Sequence, residues 1–229
     1  MSDKVEIAED AGTDAEKSAP APRPSRRLAP EDREKLIVEE AVRFFAEVGF
    51  AGQTRELAQR VGVTQPLIYR YFPTKSDLIE RVYQEVYLGR WDPTWETRLS
   101  DRSVPLRQRL IDFYRAYTDA IFTYEWMRIY MYSGLRGADI NRRYIKRLED
   151  RLLSCICIEV RADKGLGPPG SKAISSIELE LAWNMHAGIF YYGVRKYIYE
   201  IQVEEDLSNV IERCVEAFFD GVPEVVARL

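Results

Sequence analysis

Histidine and cysteine are scarce in this sequence, and their scarcity excludes several kinds of site. Among 229 residues there is one histidine, His186, so a metal or acid–base centre built from two or more histidines is excluded. The three cysteines, at positions 155, 157 and 214, are too few for a disulfide framework and favour a reducing compartment. We predict no metal site, no catalytic site and no cofactor.

Long apolar runs are also missing. No stretch approaches the roughly 18–20 residues that a membrane span needs, and the polar N-terminal residues lack the apolar segment of a secretory signal. The composition is otherwise that of a globular chain, with 46% hydrophobic residues. We therefore expect a cytoplasmic protein without a membrane partner.

Charges of the two signs nearly balance, but they are unevenly distributed. The formal net charge is −4, which taken alone argues against a nucleic-acid partner. Residues 51–76, however, carry four basic residues and one acidic residue, whereas residues 31–50 and residues 77–229 each have a net charge of −3. Positive charge concentrated in one short segment is typical of surfaces that bind phosphate groups.

The first 30 residues form a tail of distinct composition. They contain four prolines and almost no large apolar residue, so no core can form there and we predict a disordered arm over residues 1–30. Its second half carries the basic cluster Arg23, Arg26 and Arg27. This cluster is either an arm that enters the DNA minor groove or a solvated tail, and both interpretations stay open.

The segment after the tail predicts a helix-turn-helix. Apolar residues recur at helical spacing between Pro30 and Gly49, which predicts a long first helix. A short helix is predicted over Arg55–Arg60, and the turn Gly62–Thr64 separates it from a third helix that ends near Phe72. We predict an N-cap by Thr64 on the third helix. Thr74 and Asp77 predict a capping box on a fourth.

The remainder of the chain is predicted to be helical, so the fold class is all-α. No segment alternates with the period of two that marks a strand. The clearest loop is Gly165–Gly170. A long helix is predicted over residues 172–199 and a last one over residues 204–219, with Pro223 in a short tail.

The helix-turn-helix and its surroundings resemble a known family. The run Ile68-Tyr69-Arg70-Tyr71-Phe72-Pro73-Thr74-Lys75-Ser76-Asp77-Leu78 follows Gly62-Val63-Thr64 at the spacing seen in the N-terminal domain of TetR/AcrR transcriptional regulators. The resemblance covers about residues 31–82 and includes the stretch Ala41–Phe50. It implies a three-helix helix-turn-helix domain over residues 31–80, followed by a larger helical ligand-binding and dimerisation domain over residues 81–229.

The third helix is expected to face DNA. Ile68 and Phe72 lie one turn apart and should face the core, which leaves the other side chains facing outward. Gln65 is suited to pair with base edges, and the resemblance implies phosphate contacts from Tyr69, Tyr71 and Lys75. The predicted DNA-binding residues are Thr54, Arg55, Gln65, Pro66, Leu67, Tyr69, Arg70, Tyr71 and Lys75.

Aromatic residues are concentrated beyond residue 82, where all four tryptophans and 12 of the 14 tyrosines lie. The resemblance implies a pocket in this region for a small-molecule effector, and the composition favours an apolar or aromatic one. Aromatic stripes at helical spacing also form ordinary cores, and this alternative stays open. The predicted ligand-binding residues are Tyr87, Trp91, Tyr117, Ile121, Trp126, Tyr130, Trp183 and His186.

The resemblance also implies a homodimer in which the last two long helices pair with those of a second copy. One short helix contacts too few bases for specificity, so two heads on palindromic double-stranded DNA are expected. The predicted interface residues are Ile177, Leu181, Gly188, Tyr192, Leu207, Ile211, Cys214, Val215, Phe218 and Phe219.

Together these patterns predict a DNA-binding transcriptional repressor that a small molecule releases from a palindromic operator. We predict that it is not an enzyme. Two alternatives stay open: an all-α enzyme, and a ligand-blind helical protein that binds DNA or a protein partner. The sequence contains no nucleophile–base pair, Asp-rich metal motif or Gly-rich phosphate loop to favour the enzyme.

Overall fold

The computed structural model describes residues 29–135, 139–166 and 173–226, with side chains up to Gly221. The predicted arm, with Arg23, Arg26 and Arg27, lies outside the described residues except for positions 29 and 30. Within the described ranges the regular structure is helical and no strand is present, which confirms the all-α prediction. The helices are α1 (Pro30–Val48), α2 (Thr54–Val61), α3 (Gln65–Tyr71), α4 (Lys75–Tyr83), α5 (Trp95–Ser100), α6 (Leu106–Ile121), α7 (Tyr124–Leu135), α8 (Asp139–Leu148), α9 (Ser154–Asp163), α10 (Ser176–Tyr197) and α11 (Leu207–Val226).

Two π-helical stretches interrupt this pattern. Gln84–Leu88 extends α4, and Glu149–Leu153 joins α8 to α9. We call α1 to α3 the head and α5 to α11 the body, with α4 connecting them.

The head helices enclose one apolar core because their apolar residues share faces. Ile37, Ala41 and Phe44 follow one another along α1 and are fully buried. Leu57 of α2 and Ile68 of α3 close the core from the other side. Burial of a side chain of this size contributes about 1.5–3 kcal/mol, so these contacts hold α3 against α1 and α2.

The turn between α2 and α3 depends on Gly62. Its φ of 74° lies in the left-handed region, which glycine adopts without steric cost. The amide of Val63 then donates to the carbonyl of Ala58 at 2.9 Å, which closes the turn. Thr64 occupies the N-cap of α3, but its side chain makes no capping hydrogen bond, in contrast to the prediction.

Capping boxes define two other helix starts. At α4 the Thr74 hydroxyl accepts from the amide of Asp77 at 3.1 Å, and the Asp77 carboxylate accepts from the amide of Thr74 at 2.8 Å, as predicted. At α10 the same arrangement joins Ser175 and Glu178, so the helix begins at Ser176 rather than at residue 172.

The body differs from the sequence prediction at two further points. Helix α11 begins at Leu207, and its backbone continues through Pro223 to Val226 instead of ending at residue 219. Helix α5 was not predicted; it is six residues long and buries Trp95 and Leu99 in the core. Short helices of this kind lack enough turns for a periodic apolar pattern.

The body packs its long helices side by side. Helix α11 lies against α6 and α10, and α7 contacts α10 on one side and α1 of the head on the other. The buried side chains of head and body form one continuous apolar cluster. In the described part of the chain, no helix is long and apolar enough to cross a membrane.

Candidate DNA interface and aromatic site

Helix α3 is anchored by two apolar side chains and turns its other residues outward. Ile68 and Phe72 are 1% and 5% exposed, as their one-turn spacing predicted. Pro66, Tyr69 and Arg70 are exposed, and Gln65, Leu67 and Tyr71 are partly exposed. These six side chains therefore form a continuous outer face on the head, and their contacts with DNA stay a prediction.

Thr54 lies beneath this face rather than on it. It is buried, and its hydroxyl accepts a hydrogen bond from the hydroxyl of Tyr69 at 3.5 Å. The pKa of Tyr69 is lowered most by its hydrogen bond with Thr54 and less by that with Gln65. Burial leaves Thr54 little surface for a phosphate, and its direct contact with DNA stays a prediction.

Lys75 ties the start of α4 to the turn between α1 and α2. Its Nζ donates to the carbonyl of Gly52 at 2.7 Å. An ammonium group has three donors, so this bond is compatible with the predicted phosphate contact. Lys75 thus has a structural role in the head that the sequence did not reveal.

The arginines of the helix-turn-helix differ in whether they are paired. Arg60 forms a 2.6 Å ion pair with Glu47 and packs 4.9 Å from the centre of the Phe44 ring. Arg55 and Arg70 are exposed and make no hydrogen bond or ion pair with any residue that the structure describes. Exposed guanidinium groups of this kind are suited to phosphate oxygens.

Helix α7 is fastened to the end of α1 by two side chains. Arg128 Nε donates to the carbonyl of Ala46 at 2.7 Å, and the Tyr132 hydroxyl donates to the carbonyl of Glu47 at 3.2 Å. The two side chains also bond each other, at 2.9 Å. Carbonyls in the last turn of a helix lack intrahelical donors, and a cation placed there also interacts favourably with the helix dipole. We call this arrangement the α1–α7 link.

The rings predicted for the ligand site meet in one buried cluster in the body. The centre of the Trp126 ring lies 5.2 Å from that of Tyr87 and 5.1 Å from that of Tyr130. The His186 ring lies 5.5 Å from Tyr117 and 5.6 Å from Trp183. Two predicted residues flank these rings: Trp91 packs 6.2 Å from Tyr144, and Ile121 is buried at the end of α6. The structure therefore brings the predicted set together, but it does not test ligand binding.

Tyr144 joins the two halves of this cluster, and the sequence prediction missed it. Its ring lies 5.4 Å from Trp126 and 5.2 Å from Tyr87, and its hydroxyl bonds that of Tyr117 at 2.9 Å. Phe190 makes a second connection, with its ring 6.1 Å from both Trp126 and His186. The inward phase of Tyr144 was visible in the sequence, but the same phase describes any core residue.

The cluster is uncharged at neutral pH. Burial lowers the pKa of His186 to about 4, so its imidazole is neutral. Burial raises the pKa of the tyrosines in the cluster, so their hydroxyls stay protonated; these are Tyr87, Tyr114, Tyr117, Tyr130 and Tyr144. Two ionised side chains lie at its edge: Glu149 accepts from Trp183 Nε1 at 3.2 Å, and the Arg147 guanidinium lies 4.7 Å from the Trp91 ring centre.

The residues predicted for the dimer interface fall into two groups. Tyr192, Ile211, Val215 and Phe218 are at most 7% exposed within one protomer. They hold α10 and α11 in the core and leave little surface for a second copy, and their place in the interface stays a prediction. Six residues keep accessible surface: Ile177, Leu181, Gly188, Leu207, Cys214 and Phe219.

The cysteines do not form a reactive centre. Burial raises the pKa of Cys155, and it raises that of Cys157 to about 12, so both thiols are protonated at neutral pH. Among the residues that the structure describes, no group of three or more His, Cys, Asp or Glu side chains is placed to hold a metal ion.

Comparison with known proteins agrees with this geometry. Residues 37–82 match the family model described as bacterial regulatory proteins, tetR family. The HTH-type transcriptional regulator LuxR of Vibrio harveyi is 34% identical over 67 residues, which are 29% of this chain and 33% of that protein. The matched segment thus spans about a third of the curated relative's length.

Solved structures extend the likeness to most of the chain. A TetR-like transcriptional regulator from Rhodococcus sp. RHA1 has a TM-score of 0.63 at 17% identity, covering 85% of this chain and 100% of that one. A TetR family regulator from Pseudomonas syringae pv. tomato str. DC3000 has a TM-score of 0.57 at 17% identity, covering 85% and 97%. The resemblance predicted from the sequence is confirmed: residues 37–82 match the family model of the bacterial tetR regulators, and the described chain has the fold of solved TetR-family transcriptional regulators.

Proposed function

We propose that this protein is a dimeric, sequence-specific DNA-binding repressor that leaves a palindromic operator when a small molecule binds the aromatic cluster. The observation that carries the proposal is the outer face of α3, which includes the unpaired Arg70 and lies beside the unpaired Arg55 of α2, on a head that matches the tetR family model. Residues 31–80 are assigned to DNA binding and residues 81–229 to ligand binding and dimerisation. The proposal includes no catalytic role.

The outer face of the head divides into base and phosphate contacts. Gln65, Pro66 and Leu67 stand at the start of α3, where the recognition helix of a helix-turn-helix meets base edges. Tyr69, Tyr71 and Lys75, with the two unpaired arginines, face the flanking phosphates. This division assigns sequence preference to the first group and salt-dependent affinity to the second.

Dimerisation is assigned to the outer face of α10. Ile177, Leu181, Gly188 and Tyr191 recur along this helix and are exposed or partly exposed. A Cβ atom built on Gly188 meets no atom of the described residues within 4 Å. The glycine therefore has no packing role within one copy, and we assign it to the close approach of two copies.

Helix α7 supplies the connection between ligand and DNA. It carries Trp126 and Tyr130 in the aromatic cluster, and it carries Arg128 and Tyr132 in the α1–α7 link. We propose that the ligand binds a conformation in which the rings of α7 have shifted. In that conformation the hydrogen bonds of the α1–α7 link are altered and the heads are displaced, so ligand binding increases its population. Ligand and operator then weaken each other's binding by the same factor.

The DNA-binding part of the proposal is tested with a duplex selected from random sequence by the full chain. Fluorescence anisotropy should show tighter binding to this duplex than to a scrambled one, with strong salt dependence. Gln65→Ala should reduce the preference by roughly tenfold or more, since a bidentate base contact contributes about 1–3 kcal/mol. Equal affinity of the unchanged protein for both duplexes contradicts sequence-specific recognition.

The dimer is tested separately with Gly188→Phe. The protomer has open space at this position, so the variant should keep its helicity and melting behaviour while sedimenting as a monomer. Its operator affinity should fall because the two half-sites are no longer bound as one unit. Gly221→Phe, also without a neighbour within 4 Å, is the control. If Gly188→Phe remains a dimer, the dimer interface does not lie on the outer face of α10.

A further inference from the structure

The aromatic cluster contains buried polar atoms with no hydrogen-bond partner. Within the described residues these are the indole Nε1 atoms of Trp95 and Trp126, the hydroxyls of Tyr87 and Tyr114, Nδ1 of His186 and, at the edge of the cluster over Trp91, Nε of Arg147. The five aromatic side chains are at most 5% exposed. Native proteins provide hydrogen bonds to most buried polar groups, and each buried group left without one costs about 1–3 kcal/mol. Their concentration around one set of rings therefore indicates a place where an additional polar group is accommodated.

The chemistry of these atoms restricts what can bind them. An indole N–H only donates, so Trp126 requires an acceptor atom in its partner. A tyrosine hydroxyl and a neutral imidazole both donate and accept, so Tyr114 and His186 tolerate either kind of group. The surrounding rings meet stacked or edge to face, an arrangement that suits a flat molecule.

The charge of the site restricts the ligand further. The rings packed around Trp126 and His186 are tyrosine, phenylalanine and tryptophan, with no ionised group among them. Glu149 lies behind Trp183, and Arg147 lies over Trp91 at the edge of the cluster. A charged group buried beside Trp126 has no counter-ion there, and burying an unpaired charge is strongly unfavourable.

We infer that the effector is an uncharged, flat aromatic molecule with at least one hydrogen-bond acceptor, such as a ketone or ether oxygen, that takes the N–H of Trp126. This inference rests on the proposed effector site and adds the chemical class of its ligand. The inference excludes two related classes of ligand. Aromatic carboxylates share the ring system but carry a charge, and pure hydrocarbons lack the acceptor.

Three probes with the same two-ring frame test the inference: naphthalene, 2-acetylnaphthalene and 2-naphthoate. Binding to the full chain is measured by calorimetry in the absence of DNA. We expect 2-acetylnaphthalene to bind at least about tenfold tighter than naphthalene, with 2-naphthoate weakest. Trp126→Phe keeps a ring at the position and removes the N–H, so it should abolish the difference between the ketone and the hydrocarbon. Tyr114→Phe is a second variant measured in the same assay, and it keeps the ring while removing the unpartnered hydroxyl.

Defined outcomes overturn the inference. Tightest binding of 2-naphthoate, lost in Arg147→Met, replaces it with an anionic effector held at the edge of the cluster. Equal binding of all three probes, or binding of none by a chain with native melting behaviour, also overturns it. DNA anisotropy without any probe reports on the proposed function alone. If a probe binds at Trp126 but does not release DNA, the inferred ligand class is supported and the proposed regulatory role is contradicted.

Discussion

Two arginines of the head differ from two arginines of the body in burial and in pairing. In the body, Arg109 and Glu159 form a 2.8 Å ion pair between side chains that are 6% and 4% exposed. Arg161 is likewise held by Glu178, whose pKa falls to about 2 because of this bond. In the head, Arg55 and Arg70 are exposed and unpaired within the described chain. Paired charges hold a fold together, whereas unpaired exposed cations are available to an anion.

Aromatic residues show the same division. Tyr69 lies on the outer face of the head and is 38% exposed, whereas Tyr117 of the body is 1% exposed among other rings. The head therefore exposes cationic and aromatic side chains at its surface, whereas the body buries both its aromatic rings and its ion pairs. Perturbations of charge should act on the head's binding, and perturbations of burial on the body's stability.

The largest expected effect is on DNA binding by the double variant Arg55→Ala/Arg70→Ala. A dimer loses four guanidinium groups, so the slope of log affinity against log salt should fall in magnitude by about 3 to 4. Affinity at moderate salt should fall roughly 100- to 1,000-fold, because each phosphate contact contributes about 1 kcal/mol. Anisotropy titrations at several salt concentrations measure both quantities.

A charge-matched control makes this result specific to the head. Arg98 of α5 and Arg142 of α8 are exposed arginines of the body, so Arg98→Ala/Arg142→Ala also removes two positive charges per chain and should leave both the affinity and the salt slope nearly unchanged. An equal loss in the control and in the double variant would mean that net charge, not the head's geometry, determines DNA affinity.

The second largest effect is a pH dependence that originates in the body. The pKa of His186 is about 4 in the folded chain and near 6.5 when unfolded, so the unfolded chain binds more protons between these values. The free energy of unfolding should therefore decrease as pH falls from 7 to 4, by at most about 3 kcal/mol. Denaturant titrations at pH 7, 6, 5 and 4 measure the loss.

His186→Phe removes the titrating group and keeps a ring in the cluster. Its stability should be nearly independent of pH between 6.5 and 4.5. Below that range the unchanged protein and the variant should lose stability together, because the unfolded chain then binds protons at Glu178 and Glu159, whose pKa values are lowered in the fold. The same pH slope in both proteins above pH 4.5 would assign the dependence to other groups.

The head could be predicted in detail because its determinants are local. The turn at Gly62 and the capping box of Thr74 and Asp77 each depend on residues within a few positions of one another. The burial of Thr54 could not be predicted, since it follows from packing under Tyr69, 15 residues later. The bond from Lys75 to the Gly52 carbonyl spans 23 positions and escaped prediction for the same reason.

The aromatic site was predicted only in part because its geometry is long-range. Helical phase identified Tyr117 and Trp126 as inward, and the structure places both in the cluster. The contact that unites the cluster, Tyr117 with Tyr144, joins residues 27 positions apart, and no periodicity encodes it. The interface candidates Ile211 and Val215 are buried within one protomer, and an apolar phase alone does not distinguish a protomer core from a dimer surface.

A smaller effect is expected where head and body meet. Arg128→Met removes the donor to the Ala46 carbonyl in the α1–α7 link and should lower the free energy of unfolding by about 1–3 kcal/mol. Amide exchange should accelerate at the end of α1 more than in α11. Tyr132→Phe, which keeps the ring and loses only the hydroxyl, should cost less than about 1.5 kcal/mol. Uniform acceleration along the chain would show that the loss is global rather than at the link.

The smallest effect distinguishes two threonines that occupy equivalent positions in the head and its connecting helix. Thr74 caps α4 through a reciprocal pair of hydrogen bonds, whereas Thr64 stands at the N-cap of α3 without one. Thr74→Ala should therefore lower the free energy of unfolding by about 1 kcal/mol, and Thr64→Ala by less than about 0.5 kcal/mol. Urea denaturation of the two variants under identical conditions resolves the difference. Equal losses would mean that an N-cap threonine stabilises these helices through its backbone conformation, and that the side-chain bonds of the capping box add little.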